Sequence, residues 1–351
     1  MSDLHLFTAI DKAYMSRCIA LAEKAKKYTH TNPMVGCVIV HHDKIIGEGY
    51  HQRYGGAHAE VEAVANMTPK HKELLPYSTL YVTLEPCSHH GKTPPCADMI
   101  VALGIRKVVI GSIDPNPMVA GNGIKILRAQ GIDVQLGLQA EETDWLIAKF
   151  RANLNQRPYV ILKWAKSADN YLGLKGTKTQ LSNSFSNTLV HKWRSEVDAI
   201  MVGKNTVTVD DPALTVRHYD GDHPIRFVLD SVLSLIEDFA VFDDSAVTYV
   251  INELYENLEQ QPRKLKIDDT KDIKSVLSSM FQLGVTSVLI EGGAEILKSF
   301  IVAGLWDEAR IISTKTILNE GVLAPSLEGH LIEKIALGND TIHIIKNTKS
   351  V

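Results

Sequence analysis

The stretch Val82-Thr83-Leu84-Glu85-Pro86-Cys87-Ser88-His89-His90-Gly91-Lys92-Thr93-Pro94-Pro95-Cys96-Ala97 sets two cysteines, eight residues between them, behind an apolar run and a Glu-Pro turn. Upstream stands His58-Ala59-Glu60. A catalytic zinc takes three protein ligands and keeps one position for water. His58, Cys87 and Cys96 supply one imidazole and two thiolates, and are read as the metal ligands. Zinc-bound water ionises near neutral pH, and a neighbouring carboxylate can move its proton to a leaving amine. Glu60 is read as that catalytic acid–base. A structural zinc normally has four protein ligands, so three beside a carboxylate point to hydrolytic chemistry. Cys18 and Cys37, on a helical apolar face and in a strand, are read as core.

Around this stretch the first 150 residues alternate helix and strand patterns. Met15, Cys18, Ile19 and Ala22 give Asp11–Lys27 a helical period. Gly36–Val40, Ile45–Tyr50, Thr79–Leu84, Lys107–Ser112 and Asp133–Leu136 read as strands. Helices are expected at His58–Asn66, Cys96–Leu103, Gly123–Gln130 and Ala140–Asn153. The alternation predicts an α/β fold, a three-layer α/β/α unit around one mixed sheet. Asn153–Pro158 interrupts the pattern, and the domains are set at residues 1–150 and 151–351. The second half alternates again. Strands are expected at Tyr159–Trp164, Ala199–Val202, Ile225–Leu229, Val247–Ile251, Ser287–Glu291 and Asp340–Lys346. Helices are expected at Ser184–Arg194, Asp272–Leu283 and Ala294–Val302, which makes a second α/β domain.

A chain of 351 residues with 45% apolar and 22% charged residues is too apolar for a disordered protein. Its net charge is −4, and residues 1–150 carry 15 charges of each sign. No half is basic, which argues against a nucleic-acid partner. No apolar run approaches the ~20 residues of a membrane span, and residues 1–10 lack a signal-peptide pattern. Four cysteines are too few for a disulfide framework, so a reducing cytoplasm is expected.

The order His-x-Glu, then Pro-Cys, then a second Cys resembles the zinc-dependent nucleobase deaminases. Cytidine and tRNA-adenosine deaminases have two residues between the cysteines. The Ser-His-His-Gly-Lys-Thr-Pro-Pro insertion here resembles the deaminase half of the bifunctional riboflavin-biosynthesis deaminase–reductases. Asn32-Pro33-Met34-Val35-Gly36, Ala57-His58-Ala59-Glu60 and Asp114-Pro115-Asn116-Pro117 are similar to the same family. The resemblance implies a cytidine-deaminase-like first domain and a dihydrofolate-reductase-like second one. It also implies a small-molecule substrate, a pyrimidinone carrying a ribosylamino 5′-phosphate. On that basis Lys92 and His89 face the phosphate, Asn32 the pyrimidine edge and His51 the substrate's other side. Asp114 and Asn116, in a turn after a strand, are further substrate contacts.

In the second half, Val288-Leu289-Ile290-Glu291-Gly292-Gly293-Ala294 runs from a strand through a glycine pair into a helix, a setting that suits a phosphate. The resemblance assigns NADPH to Gly293, Ala294, Glu295, Ile296, Leu297, Lys298 and Ser299. Ala165, Gln180, Thr206, Asp210 and Ser231 are further expected cofactor contacts. Lys163, Arg194, Leu214, Arg217 and Glu291 are expected substrate contacts, the two arginines suiting a phosphate by their planar donor fork. Two departures stand out. The family's Ser-Leu-Asp-Gly-Lys reads Ser167-Ala168-Asp169-Asn170-Tyr171, and its cofactor-contacting Trp reads Gln180. Both bear on cofactor affinity and on the choice between NADPH and NADH.

The implied activity is zinc-dependent (Zn2+) deamination of the pyrimidine followed by NADPH-dependent reduction of the ribose. A homo-oligomer is common for such folds. Two other readings stay open at this point. One is a single-activity zinc deaminase of a base, nucleoside or tRNA with an inactive second half. The other is a non-catalytic protein structured by zinc.

Overall fold

The computed structural model describes residues 7–89, 94–117 and 119–348. The chain divides into two compact units between Asn155 and Gln156. The first contains α1 (Ala9–Glu23), β1 (Gly36–His41), β2 (Lys44–Tyr50), α2 (Ala59–Ala65), the short α3 (Pro69–Lys72), β3 (Thr79–Leu84) and α4 (Cys96–Ala102). It continues with β4 (Lys107–Ser112), α5 (Asn122–Ala129), β5 (Asp133–Leu136), α6 (Ala140–Leu146) and α7 (Ala148–Leu154). Its strands form one mixed sheet in the order β2-β1-β3-β4-β5. Pairing is antiparallel across β2, β1 and β3 and parallel across β3, β4 and β5.

Both faces of this sheet are apolar, and the two-residue strand period sorts them. Cys37, Ile39, Leu80, Val82, Val108 and Ile110 join one core with residues of α2, α4 and α5. Val38, Val40, Tyr81 and Val109 join another with Tyr14, Met15, Cys18 and Leu21 of α1. Cys18 and Cys37 are thus core residues, both fully buried. The approach of α2 to β2 needs two glycines. A Cβ on Gly47 would stand 2.7 Å from the Ala63 carbonyl oxygen, and one on Gly49 2.4 Å from the Ala63 nitrogen. The expected single helix Ala140–Asn153 is two helices, parted at Ile147 (φ −100°, ψ 6°), whose side chain enters the first core. Phe150 of α7 packs on the same core, so the unit ends after the expected 150/151 boundary.

The second unit contains β6 (Tyr159–Lys166), β7 (Tyr171–Gly173), α8 (Ser184–Ser195), β8 (Ala199–Gly203), α9 (Lys204–Asp210), β9 (Ile225–Leu229), β10 (Thr248–Asn252) and β11 (Arg263–Lys266). It closes with α10 (Ile273–Gln282), β12 (Ser287–Glu291), α11 (Ala294–Ala303), β13 (Glu308–Ser313), β14 (Val322–Leu323), β15 (His330–Leu337) and β16 (Asp340–Lys346). Nine strands form one sheet, β11-β10-β9-β8-β12-β6-β13-β16-β15. It is parallel from β11 to β13, and β16 pairs antiparallel with both β13 and β15. β13 escapes the apolar pattern because it carries Glu308 and Arg310, buried and joined by a 2.5 Å hydrogen bond from Arg310 Nε. α9 escapes it because Thr206, Val207, Thr208 and Val209 are β-branched and poor helix formers. Among the described residues no helix is long and apolar enough to cross a membrane.

Gly49→Ala forces α2 off the sheet. Overpacking of this kind costs about 1–3 kcal/mol, which urea unfolding followed at Trp145 in the first unit is expected to show as a lower midpoint.

Candidate functional site

Three elements of the first unit deliver the metal ligands. His58 caps α2, its carbonyl accepting the Glu62 N–H at 3.0 Å. Cys87 follows β3, and the start of α4 docks on it. The Cys96 N–H donates to Cys87 Sγ (3.3 Å), and the Ala97 N–H donates to the Cys87 carbonyl (3.1 Å). His58 Nδ1 lies 3.5 Å from Cys87 Sγ and 3.3 Å from Cys96 Sγ. All three ligand atoms lie within 4.8 Å of one another. One imidazole with two sulfurs is a donor set that fits zinc. The two thiols are set against each other: hydrogen bonding from Cys96 holds Cys87 well below the ordinary thiol range, and the same contact pushes Cys96 up. His58 is raised, first through its contact with Cys87. Glu60 lies in the first turn of α2 and is 3% exposed. Burial pushes its carboxyl up against the opposing pull of His58, into the direction that acid–base work needs.

A cavity of about 270 Å³ opens beside these ligands. Asn32, His51, Glu60, His89, Asp114 and Asn116 all line it; Lys92 lies outside the described residues. His51 is buried, and its Nδ1 donates to the Ala57 carbonyl at 2.9 Å. Its Nε2 is therefore the acceptor for the Asn32 amide at 3.0 Å. Burial lowers the His51 pKa, which keeps this neutral tautomer. His51 is thus the orienter of Asn32.

Sequence reasoning missed two contributors. The buried Glu85 carboxylate accepts the backbone N–H groups of Asp114 (3.3 Å), Gly121 (2.9 Å) and Ile124 (3.3 Å). It pins the turn bearing Asp114 and Asn116 to the loop bearing Cys87. A glutamate directly after an apolar strand was a readable signal, because buried carboxylates need partners. Phe150 and Leu154 of α7 supply apolar wall, and nothing local in the sequence marks them.

Two cavities of the second unit, of about 580 and 620 Å³, share Leu172, Thr179, Thr206, Asp210 and Gly293. The first is lined by Lys163, Arg194, Leu214, Arg217 and Glu291, and also by Ala165 and Gln180. The second is lined by Ser231, Ala294, Glu295, Ile296 and Ser299. Two residues of the expected cofactor run stand apart from these cavities. Leu297 is fully buried in the core, on the sheet side of α11, and Lys298 lines neither cavity. α11 starts at Gly293 without a side-chain cap. The Gly293 N–H donates to Thr206 Oγ1 at 3.0 Å, and a Cβ on Gly292 would stand 2.5 Å from Ile296 Cγ2. An uncapped helix start of this kind suits a cofactor phosphate.

Glu291 is the electrostatic centre of the first of these cavities. Arg194 Nε and Nη2 donate to its two oxygens at 2.8 and 2.9 Å, and Lys163 Nζ lies 3.5 Å away. Burial alone would push the Glu291 carboxyl up; Arg194, then Lys163, outweigh it and hold the group at about 2. Arg194 Nη1 donates to the Thr215 carbonyl at 3.1 Å. The expected phosphate fork of Arg194 is therefore closed on Glu291, whereas Arg217 has no ion-pair partner among the described residues. Lys163 sits on the central strand β6, where Glu291 answers its charge. Leu214 has φ 58° and Asp211 φ 40°, a strained conformation for a bulky residue of the cavity wall. Asn170 takes φ 66° where the family has glycine, a conformation that asparagine tolerates. The Gln180 amide donates to the Ser182 carbonyl at 3.0 Å.

Two outcomes follow from these sites. Protons compete with a metal for His58 and both sulfurs, and the His58 pKa is raised, so zinc is expected to stay bound at pH 8 and to leave progressively as the pH falls. Elemental analysis after dialysis at each pH reads this. Glu291→Gln leaves two cations facing a neutral amide. It is expected to cost the second unit about 3 kcal/mol in denaturant unfolding, with the zinc content unchanged.

The sequence model of the cytidine and deoxycytidylate deaminase zinc-binding region matches residues 8–112, and that of the RibD C-terminal domain matches residues 158–333. The chain is 39% identical over 333 residues to the riboflavin biosynthesis protein RibD of Aquifex aeolicus (strain VF5), covering 93% of this chain and 92% of the relative. It is 37% identical over 318 residues to RibD of Escherichia coli (strain K12), covering 85% and 86%. A Thermotoga maritima structure described as a diaminohydroxyphosphoribosylaminopyrimidine deaminase/5-amino-6-(5-phosphoribosylamino)uracil reductase matches with a TM-score of 0.82 at 32% identity. That match covers 96% of this chain and 99% of the other. With a zinc-type donor set beside a buried glutamate in one unit, and a reductase domain in the other, the chain belongs to the RibD family of bifunctional deaminase–reductases of riboflavin biosynthesis.

Proposed function

We propose that this chain carries out the two reactions for which its Thermotoga maritima relative is named. The first is hydrolytic deamination of 2,5-diamino-6-ribosylamino-4(3H)-pyrimidinone 5′-phosphate. The second is NADPH-dependent reduction of the ribosyl chain to give 5-amino-6-ribitylamino-uracil 5′-phosphate. The observation that carries the reading is the set of three ligand atoms within 4.8 Å of one another, with Glu60 buried two residues beyond His58.

Zinc, when held by His58, Cys87 and Cys96, supplies the Lewis acidity that makes a water nucleophilic near neutral pH. Glu60 takes the proton of the attacking water and returns it to the amine, which leaves as ammonia. Its burial keeps water from competing for that proton. Asn32, oriented by His51, meets the pyrimidine edge. Asp114 and Asn116, pinned by Glu85, meet the substrate from the opposite loop, and Lys92 with His89 meets the phosphate.

In the second unit NADPH supplies a hydride for C1′ of the opened ribose. The start of α11, with Thr206 and Ser299, would hold cofactor phosphates. Lys163 and Glu291 meet the sugar, Leu214 packs on the substrate, and Arg217 meets the phosphate. The substrate is a small molecule, and no nucleic acid takes part, a reading supported by the electrical neutrality of the first 150 residues. The compartment is the cytoplasm, supported by four cysteines all free of disulfides. The enzyme works as a homo-oligomer, as is common for such folds.

A one-tube assay on the diaminopyrimidine phosphate reads ammonia release and NADPH oxidation together. Glu60→Gln is expected to cut ammonia release at least about 100-fold, while NADPH oxidation on supplied aminouracil ribosylamine phosphate persists. Undiminished ammonia release in that variant would overturn the mechanism.

A further inference from the structure

His191 lies on α8 in the wall of the 580 Å³ cavity and is only 6% exposed. Its Nδ1 accepts the Arg217 backbone N–H at 3.1 Å. Its ring meets that of His218 edge-on, centroids 4.7 Å apart. Burial, then Arg194, His218 and Arg217, lower its pKa to about 4, against the pull of Glu291. The imidazole is therefore neutral, with Nδ1 as acceptor and its one hydrogen on Nε2. Among the described residues nothing accepts that hydrogen. That donor opens on the cavity, where solvent meets it in the free chain and a ligand oxygen can take the place of that solvent.

The cations around it indicate the ligand's chemistry. Arg194 is closed on Glu291, so of the two arginines only Arg217 is free to meet an anion. A phosphate has more acceptor positions than one guanidinium fills. We propose that His191 is a further substrate-binding residue of the reductase cavity, its Nε2–H donating to a phosphate oxygen of the sugar phosphate beside Arg217. The inference rests on the reductase reading given above.

The test uses the full chain, aminouracil ribosylamine phosphate as substrate, and inorganic phosphate as competing probe. His191→Leu is expected to raise KM about tenfold, the loss of one hydrogen bond to a charged group, with kcat little changed. The inhibition constant of inorganic phosphate rises with it. His191→Gln keeps an acceptor for the Arg217 N–H and a donor for the phosphate, and is expected to restore most of the affinity. In the unaltered chain the His191 ring ¹⁵N resonances are expected to shift on saturation with inorganic phosphate, a readout that needs no variant. Unchanged KM and inhibition constant in His191→Leu, a fall in kcat alone, or unmoved ring resonances would each overturn the proposal. Absence of NADPH oxidation in the unaltered chain would instead refute the reductase reading, and the phosphate titration would still decide His191.

Discussion

The docking of the α4 start on Cys87 is the contact on which the first unit's chemistry depends. Two backbone N–H groups of that turn bind one residue, one to its sulfur and one to its carbonyl. This fixes Cys96 next to Cys87 whatever the intervening loop does. Backbone donors aimed at a sulfur favour its thiolate, the form a metal needs. His58 completes the set from the opposite side of the sheet order, because Gly47 and Gly49 let α2 sink onto β2. Ligand convergence is therefore a property of the sheet and its two helix starts. The same helix turn that presents His58 also presents Glu60, so the proposed metal ligand and the proposed acid–base are placed by one packing event.

The second unit solves a different problem. It must keep cations in a cavity for an anionic substrate without burying them unpaired. Glu291 at the end of β12 answers Lys163 on the adjacent β6 and Arg194 on α8. One of the two positive charges is neutralised locally, and Arg217 lines the same cavity. The segment Asp211–Leu214 has two of its residues at positive φ, and Arg226, fully buried, holds it from behind through the Ala213 carbonyl at 3.2 Å. A wall held in that way is stiff, and positions Leu214 and Asp210 together.

The sequence was most legible where the signal is local. Thr79–Leu84, Lys107–Ser112 and Ser287–Glu291 match their strands to the residue, because buried parallel strands read as continuous apolar runs bounded by turns. The ligand set was legible because zinc chemistry tolerates few donor combinations and Glu60 is two residues from His58. Charge buried through distant pairing was not legible. Arg194 reaches Glu291 across 97 residues and looks like an ordinary surface charge in the sequence; Glu85 was readable as a buried carboxylate, but its partners, Asp114 among them across 29 residues, were not. For the same reason β13, with Glu308 and Arg310 inside it, was invisible, and the pairing of Arg194 with Glu291 was not foreseen. Leu297, inside the expected cofactor run, is turned to the core by the helical period.

X-ray absorption at the zinc edge of the purified chain tests the central claim most directly. The account predicts one zinc per chain with two sulfur neighbours at about 2.3 Å, one imidazole nitrogen at about 2.0–2.1 Å, and one further light-atom neighbour from solvent. A shell of four protein donors, or one with fewer than two sulfurs, would contradict it.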